Sequence, residues 1–390
     1  MRARGLVVYF IGACLLRGAD AAAIIGVVLA ARTVGAGDAT GLLAACITLP
    51  HLAGPIAAQL LDRARSKKLV LAAAGLAYGL ALAGGILLLP VTLVAAAGCL
   101  LVAGLAGPLL TGGLSSQLAT IVGVDQRARR RAQGMDAFTY GVSATAGPAV
   151  IAVVASAVSP TVAVLTAAGA AAVGAVVLLL LSGGAHHLHS DGRPAPVGLR
   201  AALGMLLRLP GLRRTTIATA LTAIPLGAVP LLAVGTVDSL GATAASSAVL
   251  TAAYGAGNLA VSLLLIVLPL RGQADRLIRW GVVAVAIAFA LGLVISSVPI
   301  GAAAFALLGA ATGILFTASL AARASFSPSG AEAQIFVSMA GIKVAFASIG
   351  TAAAGPLLGL GGHMMFAMAT VLTLATLGYL LIDRAPQAPG

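Results

Sequence analysis

Long apolar runs alternate along this chain with short segments that hold the charged residues. A run of about 20 apolar residues crosses the hydrocarbon core of a bilayer as a helix. These runs are continuously apolar and do not alternate with period two, which favours helices over barrel strands. We count twelve runs, called spans 1–12 below: residues 6–31, 39–60, 68–89, 92–120, 134–157, 161–182, 214–237, 243–268, 279–297, 300–323, 333–358 and 361–382.

Composition agrees with this pattern. Hydrophobic residues make up 60% of the 390 residues and charged residues 8%, whereas soluble domains have about 25% charged residues. The sequence therefore predicts an all-α integral membrane protein and excludes a water-soluble globular fold. The first run is too long for a cleavable signal peptide, so we expect it to remain as span 1.

The basic residues predict the orientation of the chain in the membrane. All but three of the 23 Lys and Arg residues lie in every second connection; the exceptions are Arg17, Arg32 and Lys343. Because basic loops stay on the cytoplasmic side, both termini are predicted to be cytoplasmic in the inner membrane. The net charge of +13 is scattered over short loops, which predicts contact with anionic lipid headgroups and argues against nucleic acid.

One long connection, residues 183–213, divides the chain into two six-span halves, residues 1–182 and 214–390. Residues 198–209 within it are predicted to form an amphipathic helix on the membrane surface. Two dipeptides recur six spans apart: Asp62-Arg63 with Asp275-Arg276, and Gly147-Pro148 with Gly355-Pro356. Such repeats are typical of transporters that bind substrate between two pseudo-symmetric six-helix bundles.

The loop after span 2 carries the most specific motif. Asp62, Arg63 and Lys67 match the Asp-Arg and basic positions of the loop found in the major facilitator superfamily, while Ala58, Arg65 and Ser66 depart from that pattern. The chain resembles this superfamily over its full length. The resemblance implies a secondary transporter with two six-helix bundles, and a cytoplasmic gate at Asp62, Arg63, Lys67, Asp275 and Arg276. The alternative is an ordinary ion pair at a helix end that sets topology.

Span 5 carries a weaker likeness. Gly147-Pro148 resembles the Gly-Pro signature of the superfamily's exporters, and the segment Arg17-Gly18-Ala19-Asp20 resembles its bacterial efflux members. The signature implies a packing hinge at Gly147 and Pro148, repeated at Gly355 and Pro356; generic close packing of helices is the alternative. Span 4 lacks the Arg that many proton-coupled exporters carry there.

Charged residues inside spans are costly and are functional candidates. Asp20 and Arg17 lie one helical turn apart in span 1 and are predicted to pair, with Asp20 binding a proton or a cationic substrate. A mutually neutralised structural pair is the alternative. Asp136 is either a proton or substrate group or a charge at the start of span 5, and Lys343 either holds an anion or snorkels to the interface.

Other polar groups yield weaker hypotheses. Tyr254 and Asn258, four residues apart in span 8, are predicted to present a polar stripe to the cavity. His51 and His363 are read as packed or hydrogen-bonded histidines, with a proton relay as the alternative. A solvated loop is the reading for His186, His187 and His189, with weak metal binding as the alternative. The cysteines, Cys14, Cys46 and Cys99, are read as small buried hydrophobes.

The sequence shows no phosphate-binding loop, no metal-ligand cluster and no nucleophile–base set, so we expect neither an enzyme nor a cofactor. The prediction is a monomeric transporter that works by alternating access and exports small amphipathic molecules in exchange for protons. A carrier of polar metabolites such as sugars or amino acids is one alternative. A non-transporting membrane scaffold or receptor is the other.

Overall fold

The protein is described from a computed structural model that covers residues 2–36, 39–123, 125–181, 199–242 and 245–383. These residues are helical apart from short connections, and none of them forms a strand. In chain order the α-helices are α1 (Arg2–Thr33), α2 (Thr40–Thr48), α3 (Gly54–Arg63), α4 (Lys67–Leu88), α5 (Leu93–Pro108), α6 (Leu118–Val122), α7 (Gln126–Ala157), α8 (Pro160–Leu179), α9 (Leu199–Arg208), α10 (Pro210–Gly227), α11 (Val229–Ser239), α12 (Ala245–Val267), α13 (Ala274–Leu291), α14 (Val298–Phe326), α15 (Glu332–Leu357) and α16 (Gly362–Ile382).

The helices correspond to the twelve predicted spans. Helices α2 and α3 form span 2, α5 and α6 form span 4, and α10 and α11 form span 7, while every other span is one helix. Within the described ranges, eleven stretches are long and apolar enough to cross a membrane, and the bent pair Leu42–His51 with Gly54–Arg63 makes up to twelve. The predicted all-helical membrane fold is confirmed.

Helix α9 lies in the predicted amphipathic segment of the central connection. The three central histidines, His186, His187 and His189, and the terminal Arg384 lie outside the described residues.

Prolines explain where the spans break. Proline lacks the backbone N–H that a helix interior needs, and its ring clashes with the preceding turn. In span 2, Pro50 starts a 3₁₀ segment, Leu49–Ala53, that places His51 at a bend of 45°. In span 4, Pro108 precedes a π-helical turn at Leu109–Gly113. A π-helical turn is wider than an α-helical one and is frequent at functional sites.

The chain forms two compact units. Unit 1 comprises Met1–Ala132, Thr139–Ala202 and Pro328–Gly341, and unit 2 comprises Gln133–Phe138, Leu203–Ser327 and Ile342–Gly390. These units differ from the predicted sequence halves at two helix starts. The start of span 5 belongs to unit 2, and the start of span 11 belongs to unit 1.

The same helix crossings recur in both units. In unit 1, a Cβ on Gly147 of span 5 would lie 2.5 Å from the Gly18 carbonyl oxygen of span 1. In unit 2, a Cβ on Gly350 of span 11 would overlap the Ile224 carbonyl oxygen of span 7. Span 5 thus crosses span 1 as span 11 crosses span 7, six spans later. The close crossing in span 11 lies at Gly350, five residues before the Gly355-Pro356 pair that the sequence repeat singled out.

A second pair of crossings also recurs six spans apart. A Cβ on Gly104 of span 4 would overlap the Ile47 carbonyl of span 2, and one on Gly309 of span 10 would overlap the Tyr254 carbonyl of span 8. Small residues let helix backbones approach closely in a membrane, where apolar surface alone does not drive association.

The crossing at Gly350 yields the first testable prediction. We expect Gly350→Ala to destabilise the fold by about 1–3 kcal/mol, because the added methyl group forces span 11 away from span 7. Thermal unfolding of the purified protein measures the effect. The matched control is Gly169→Ala in α8, where a Cβ meets no atom within 4 Å. Equal melting temperatures for the two variants would contradict the close crossing.

Candidate functional site

Arg17 is the most completely buried charge of span 1, with 2% of its surface exposed. Its guanidinium stacks on the Tyr140 ring, 3.8 Å from the centroid. Its N–H groups donate hydrogen bonds to oxygens of spans 1, 4 and 5, which belong to Tyr9 (3.4 Å), the Leu110 carbonyl (3.3 Å), the Thr111 carbonyl (3.0 Å), Ser115 (2.9 Å) and Thr139.

The π-helical turn of span 4 explains this placement. The Leu110 and Thr111 carbonyls lie within that turn, and both accept from Arg17. A buried carbonyl without a donor is costly, and a planar guanidinium can serve several acceptors at once. Span 4 carries no arginine of its own, and the positive charge that lies against it comes from span 1.

Asp20 lies one turn further along span 1, and its carboxylate pairs with His51 of span 2. The His51 Nε2 lies 3.8 Å from the Asp20 Oδ2, and the two side chains are 13% and 15% exposed. The His51 Nδ1 lies 3.1 Å from the Ile47 carbonyl oxygen. Because a carbonyl only accepts, Nδ1 must carry the hydrogen, which leaves Nε2 facing the carboxylate.

The hydroxyl of Tyr78 in span 3 faces the Asp20 carboxylate. Among the described residues, neither this hydroxyl nor the Asp20 Oδ1 has a hydrogen bond within 3.5 Å. Tyr78 is fully buried, and Asp20 is the charged group that acts on its hydroxyl. Spans 1, 2 and 3 therefore bring together a carboxylate, an imidazole and a phenol with unused hydrogen-bonding capacity.

Gly107 of span 4 packs against this group of side chains. A Cβ at this position would lie 2.5 Å from the His51 Nε2 and 3.3 Å from the Asp20 Oδ1. Such a contact is shorter than van der Waals packing allows, so the imidazole occupies the space that a larger residue would fill. We call Asp20, His51, Tyr78 and Gly107 the carboxylate–imidazole site.

The predicted pair of Asp20 with Arg17 does not form. Their spacing puts both on neighbouring faces of one helix, but their side chains diverge. Arg17 reaches the carbonyls of span 4, and Asp20 pairs with His51 of span 2. Partners on other helices, which the spacing along span 1 does not report, decide where each charge points.

Asp136 lies well inside α7 and is fully buried. It is not a charge in the first turn of this helix, as one interpretation of the sequence had it. The N-cap of α7 is Asp125, whose carboxylate accepts from the N–H groups of Arg127 (3.3 Å) and Ala128 (3.1 Å). A buried carboxylate within a span keeps Asp136 among the functional candidates.

Asn258 takes part in a helix crossing. Its side-chain amide donates to the Gly309 carbonyl of span 10 at 3.3 Å, beside a close approach of spans 8 and 10. Tyr254, one turn earlier, has the Thr312 hydroxyl of span 10 as its polar neighbour. Both residues of the predicted stripe thus face span 10 inside unit 2.

Lys343 of span 11 is partly buried in unit 2. Its ammonium lies over the ring of Phe316 in span 10, 4.0 Å from the centroid. None of the described acidic residues forms an ion pair with it. Arg323, which the sequence placed in the connection after span 10, lies in the last turn of α14 with 2% of its surface exposed.

Asp62 binds the first turn of span 11. Its two carboxylate oxygens accept from the N–H groups of Ala333 (3.3 Å) and Gln334 (3.2 Å), and the side chain is 1% exposed. The Lys67 Nζ lies 3.8 Å from the Asp62 Oδ1. The first N–H groups of a helix have no partner within it and carry a partial positive charge, so a carboxylate stabilises them. Arg63, the other predicted gate residue at this end, is exposed.

Asp275 differs from Asp62 in its position. Asp62 lies in the last turn of α3, at the end of span 2, whereas Asp275 lies in the first turn of α13, at the start of span 9. Asp275 pairs with Arg214 (2.8 Å) and with Arg279 (3.5 Å), both within unit 2. The two Asp-Arg dipeptides therefore occupy opposite ends of their connections, and Arg276 is exposed.

The start of span 7 is bound to the end of span 12 within unit 2. Arg213 donates through Nε to Asp383 at 2.9 Å, the Arg214 guanidinium donates to the Asp383 carbonyl at 3.0 Å, and the Tyr379 hydroxyl donates to the Asp383 carboxylate at 2.8 Å. The hydrogen bonds from Arg213 lower the pKa of Asp383 below its ordinary value. Hydrogen bonds between charged groups are stronger than those between neutral groups.

Sequence reasoning favours a packed role for His51 over a proton relay, and it singles out neither Tyr78 nor Phe316. One signal was available for Phe316: Thr312, Phe316, Ser319 and Arg323 follow the spacing i, i+4, i+7 and i+11 in an otherwise apolar span. This spacing places them on one helix face. In the described ranges, no three metal-binding side chains lie close enough to hold an ion.

No family model matches the sequence, and no curated protein sequence is significantly similar to it. Solved structures, however, match nearly the whole chain. The human organic anion transporter MFSD10 (TETRAN) is 15% identical, with a TM-score of 0.77 over 97% of this chain and 99% of that one.

Two further structures match in the same way. A bacterial homologue of the iron transporter ferroportin, in an outward-facing state, is 13% identical, with a TM-score of 0.77 over 97% of this chain and 98% of that one. The proton:xylose symporter XylE is 11% identical, with a TM-score of 0.72 over 98% of this chain and 95% of that one. At these identities the likeness concerns the fold. The chain is thus a multi-pass membrane protein with the fold of the major facilitator superfamily of transporters.

Proposed function

We propose that this protein is a secondary active transporter that works by alternating access and exports small amphipathic molecules in exchange for protons. The observation that carries the proposal is the carboxylate–imidazole site. It combines Asp20, His51 and Tyr78 inside a fold whose solved relatives are transporters, one of them a proton:xylose symporter.

The chemistry of the site suits a proton. With the hydrogen on Nδ1, a neutral His51 turns the lone pair of Nε2 toward the Asp20 carboxylate, and two acceptors then face each other at 3.8 Å. A proton on either atom converts this repulsion into a hydrogen bond or an ion pair. The free oxygen of Asp20 and the Tyr78 hydroxyl can accept or donate as the proton arrives and leaves.

The export direction is supported by the crossing of spans 1 and 5. Gly147, which belongs to the exporter-like dipeptide, packs on the carbonyl of Gly18. Gly18 lies between Arg17 and Asp20 in the sequence. A change in the bend at Pro148 would therefore act directly on the segment of span 1 that holds both charges.

We propose that the basic connections lie on the cytoplasmic side of the inner membrane, with both termini, and that the protein acts as a monomer. On that assignment, Asp62 and the first turn of span 11 form a cytoplasmic gate, assisted by Lys67. Asp275 contributes by holding span 9 against span 7 within unit 2. Release of the Asp62 contact would accompany the change to the inward-open state.

The gate yields the second testable prediction. Removal of a helix-capping carboxylate costs about 1 kcal/mol, so we expect the N–H groups of Ala333 and Gln334 to exchange about fivefold faster in Asp62→Ala. Hydrogen exchange measured by mass spectrometry reports on this turn. The matched control is Asp125→Ala, which removes the cap of α7. Unchanged exchange of the Ala333 and Gln334 N–H groups in Asp62→Ala would contradict the gate. Equally fast exchange of these same groups in Asp125→Ala would also contradict it.

Flux into proteoliposomes tests the function as a whole. The purified protein is reconstituted, a pH gradient is imposed, and accumulation is followed for a panel of labelled amphipathic compounds, sugars and amino acids. We expect gradient-driven accumulation of amphipathic compounds. Accumulation of a sugar or an amino acid instead would favour the polar-metabolite carrier, and no flux of any compound would favour a non-transporting role.

A further inference from the structure

Lys343 is a positive charge that the proposed proton chemistry does not use. Its ammonium rests on the face of Phe316, and none of the described carboxylates pairs with it. The charged group that acts on it is Arg323, which is also positive. Lys343 thus carries a positive charge inside unit 2 that none of the described carboxylates pairs with.

The aromatic contact does not compensate for burial of this charge. A cation–π interaction contributes about 0.5–2 kcal/mol, whereas removing an ion from water costs several kcal/mol unless a counter-charge is near. A negatively charged ligand would supply that counter-charge. A lysine is also a compact point charge with three donors, which suits a carboxylate, sulfonate or phosphate oxygen.

The face of span 10 that carries Phe316 provides the remaining contacts. Thr312 lies one turn before it and Ser319 one turn after it, and the Ser319 hydroxyl exchanges a 3.0 Å hydrogen bond with Thr219 of span 7. Two hydroxyls therefore flank the aromatic ring on one face of span 10, and the ammonium of span 11 lies over that ring. This combination suits a ligand with one charged end and one apolar or aromatic end.

We propose that Lys343 and Phe316 bind the substrate, and that the substrate is an amphipathic organic anion. The Lys343 ammonium pairs with its carboxylate or sulfonate, and the Phe316 ring packs against the adjoining apolar part. This inference rests on the proposed transport function for its biological meaning, but binding itself is measurable without transport.

Binding of a matched set of probes tests the proposal. 4-Phenylbutyrate, 4-phenylbutanol and 4-phenylbutylamine share one aromatic chain and differ in the charge of the head group. They are titrated onto the full-length protein in lipid nanodiscs, with thermal stabilisation as the readout. We expect 4-phenylbutyrate to raise the melting temperature, and the alcohol and the amine to raise it less or not at all.

Variants assign the effect to the site. Because hydrogen bonds to charged groups contribute about 1.5–3 kcal/mol, Lys343→Met should weaken 4-phenylbutyrate binding about tenfold or more, while Lys343→Arg keeps most of it. Phe316→Leu should weaken the carboxylate and the alcohol alike. Arg271→Met, which removes a positive charge from an exposed position in unit 2, should leave binding unchanged.

Three results would overturn the proposal: equal stabilisation by the acid and the amine, binding of 4-phenylbutyrate that survives in Lys343→Met, or equal protection by inorganic phosphate. The last would indicate a plain anion site without an apolar contact. Retained folding of Lys343→Arg keeps the test valid if Lys343→Met is unstable. If 4-phenylbutyrate binds but no flux occurs in proteoliposomes, the anion site stands and the transport function fails.

Discussion

Asp20→Asn is expected to abolish the accumulation of substrate that is driven by a pH gradient, reducing it to the level of empty liposomes. An amide cannot bind or release a proton near neutral pH, so the cycle loses its coupling step. Exchange of substrate across the membrane without a gradient should persist, because that reaction requires no net proton transfer. The measurement is flux in reconstituted vesicles, with and without an imposed gradient.

Further variants separate coupling from folding. His51→Gln should impair gradient-driven flux in the same way, because it removes the imidazole that faces the Asp20 carboxylate. Asp238→Asn, which changes an exposed carboxylate at the end of α11, should behave as the unaltered protein. Full gradient-driven accumulation by Asp20→Asn would eliminate the carboxylate–imidazole site as the coupling site.

Arg17→Met is expected to destabilise unit 1 by at least about 3 kcal/mol, because it leaves several buried oxygens without a donor. The affected acceptors include the Thr111 carbonyl and the Ser115 hydroxyl. Arg17→Lys should recover part of the loss, since an ammonium keeps the charge but lacks the planar fork. Thermal unfolding and size-exclusion chromatography of the purified variants measure these effects.

The control for Arg17 is Arg65→Met, which removes a positive charge from an exposed position between spans 2 and 3. It should leave the melting temperature unchanged. If Arg17→Met unfolds no earlier than Arg65→Met, then Arg17 is not the residue that holds the π-helical turn of span 4 in place.

The helical architecture could be predicted well because it depends on local properties of the chain. Each span is a continuous apolar run, and a bilayer leaves such a run few alternatives to a helix. The broken spans were harder to predict. Pro50, Pro55 and Pro108 are visible in the sequence, but whether a proline bends a span, ends it or is absorbed by a wider turn depends on neighbouring helices that resatisfy the backbone.

The internal repeat is visible in the helix crossings more than in the repeated dipeptides. The crossings of spans 1 with 5 and 7 with 11 do recur six spans apart, through Gly147 and Gly350. The Asp-Arg dipeptides do not occupy equivalent places, since Asp62 ends a helix and Asp275 begins one. A shared dipeptide does not fix the helix end that its residues occupy, because packing against other helices decides it.

By itself, the sequence determined the all-helical membrane fold and most of the charges buried within its spans, because hydropathy and charge act on each segment separately. Only the tertiary structure decided how those charges are paired. Arg17 donates hydrogen bonds to span 4, Asp20 pairs with His51, and the Lys343 ammonium lies over the Phe316 ring. A charge in a low-dielectric interior is stabilised by the compensating groups nearest to it in space. Those groups lie on other helices, far away along the chain.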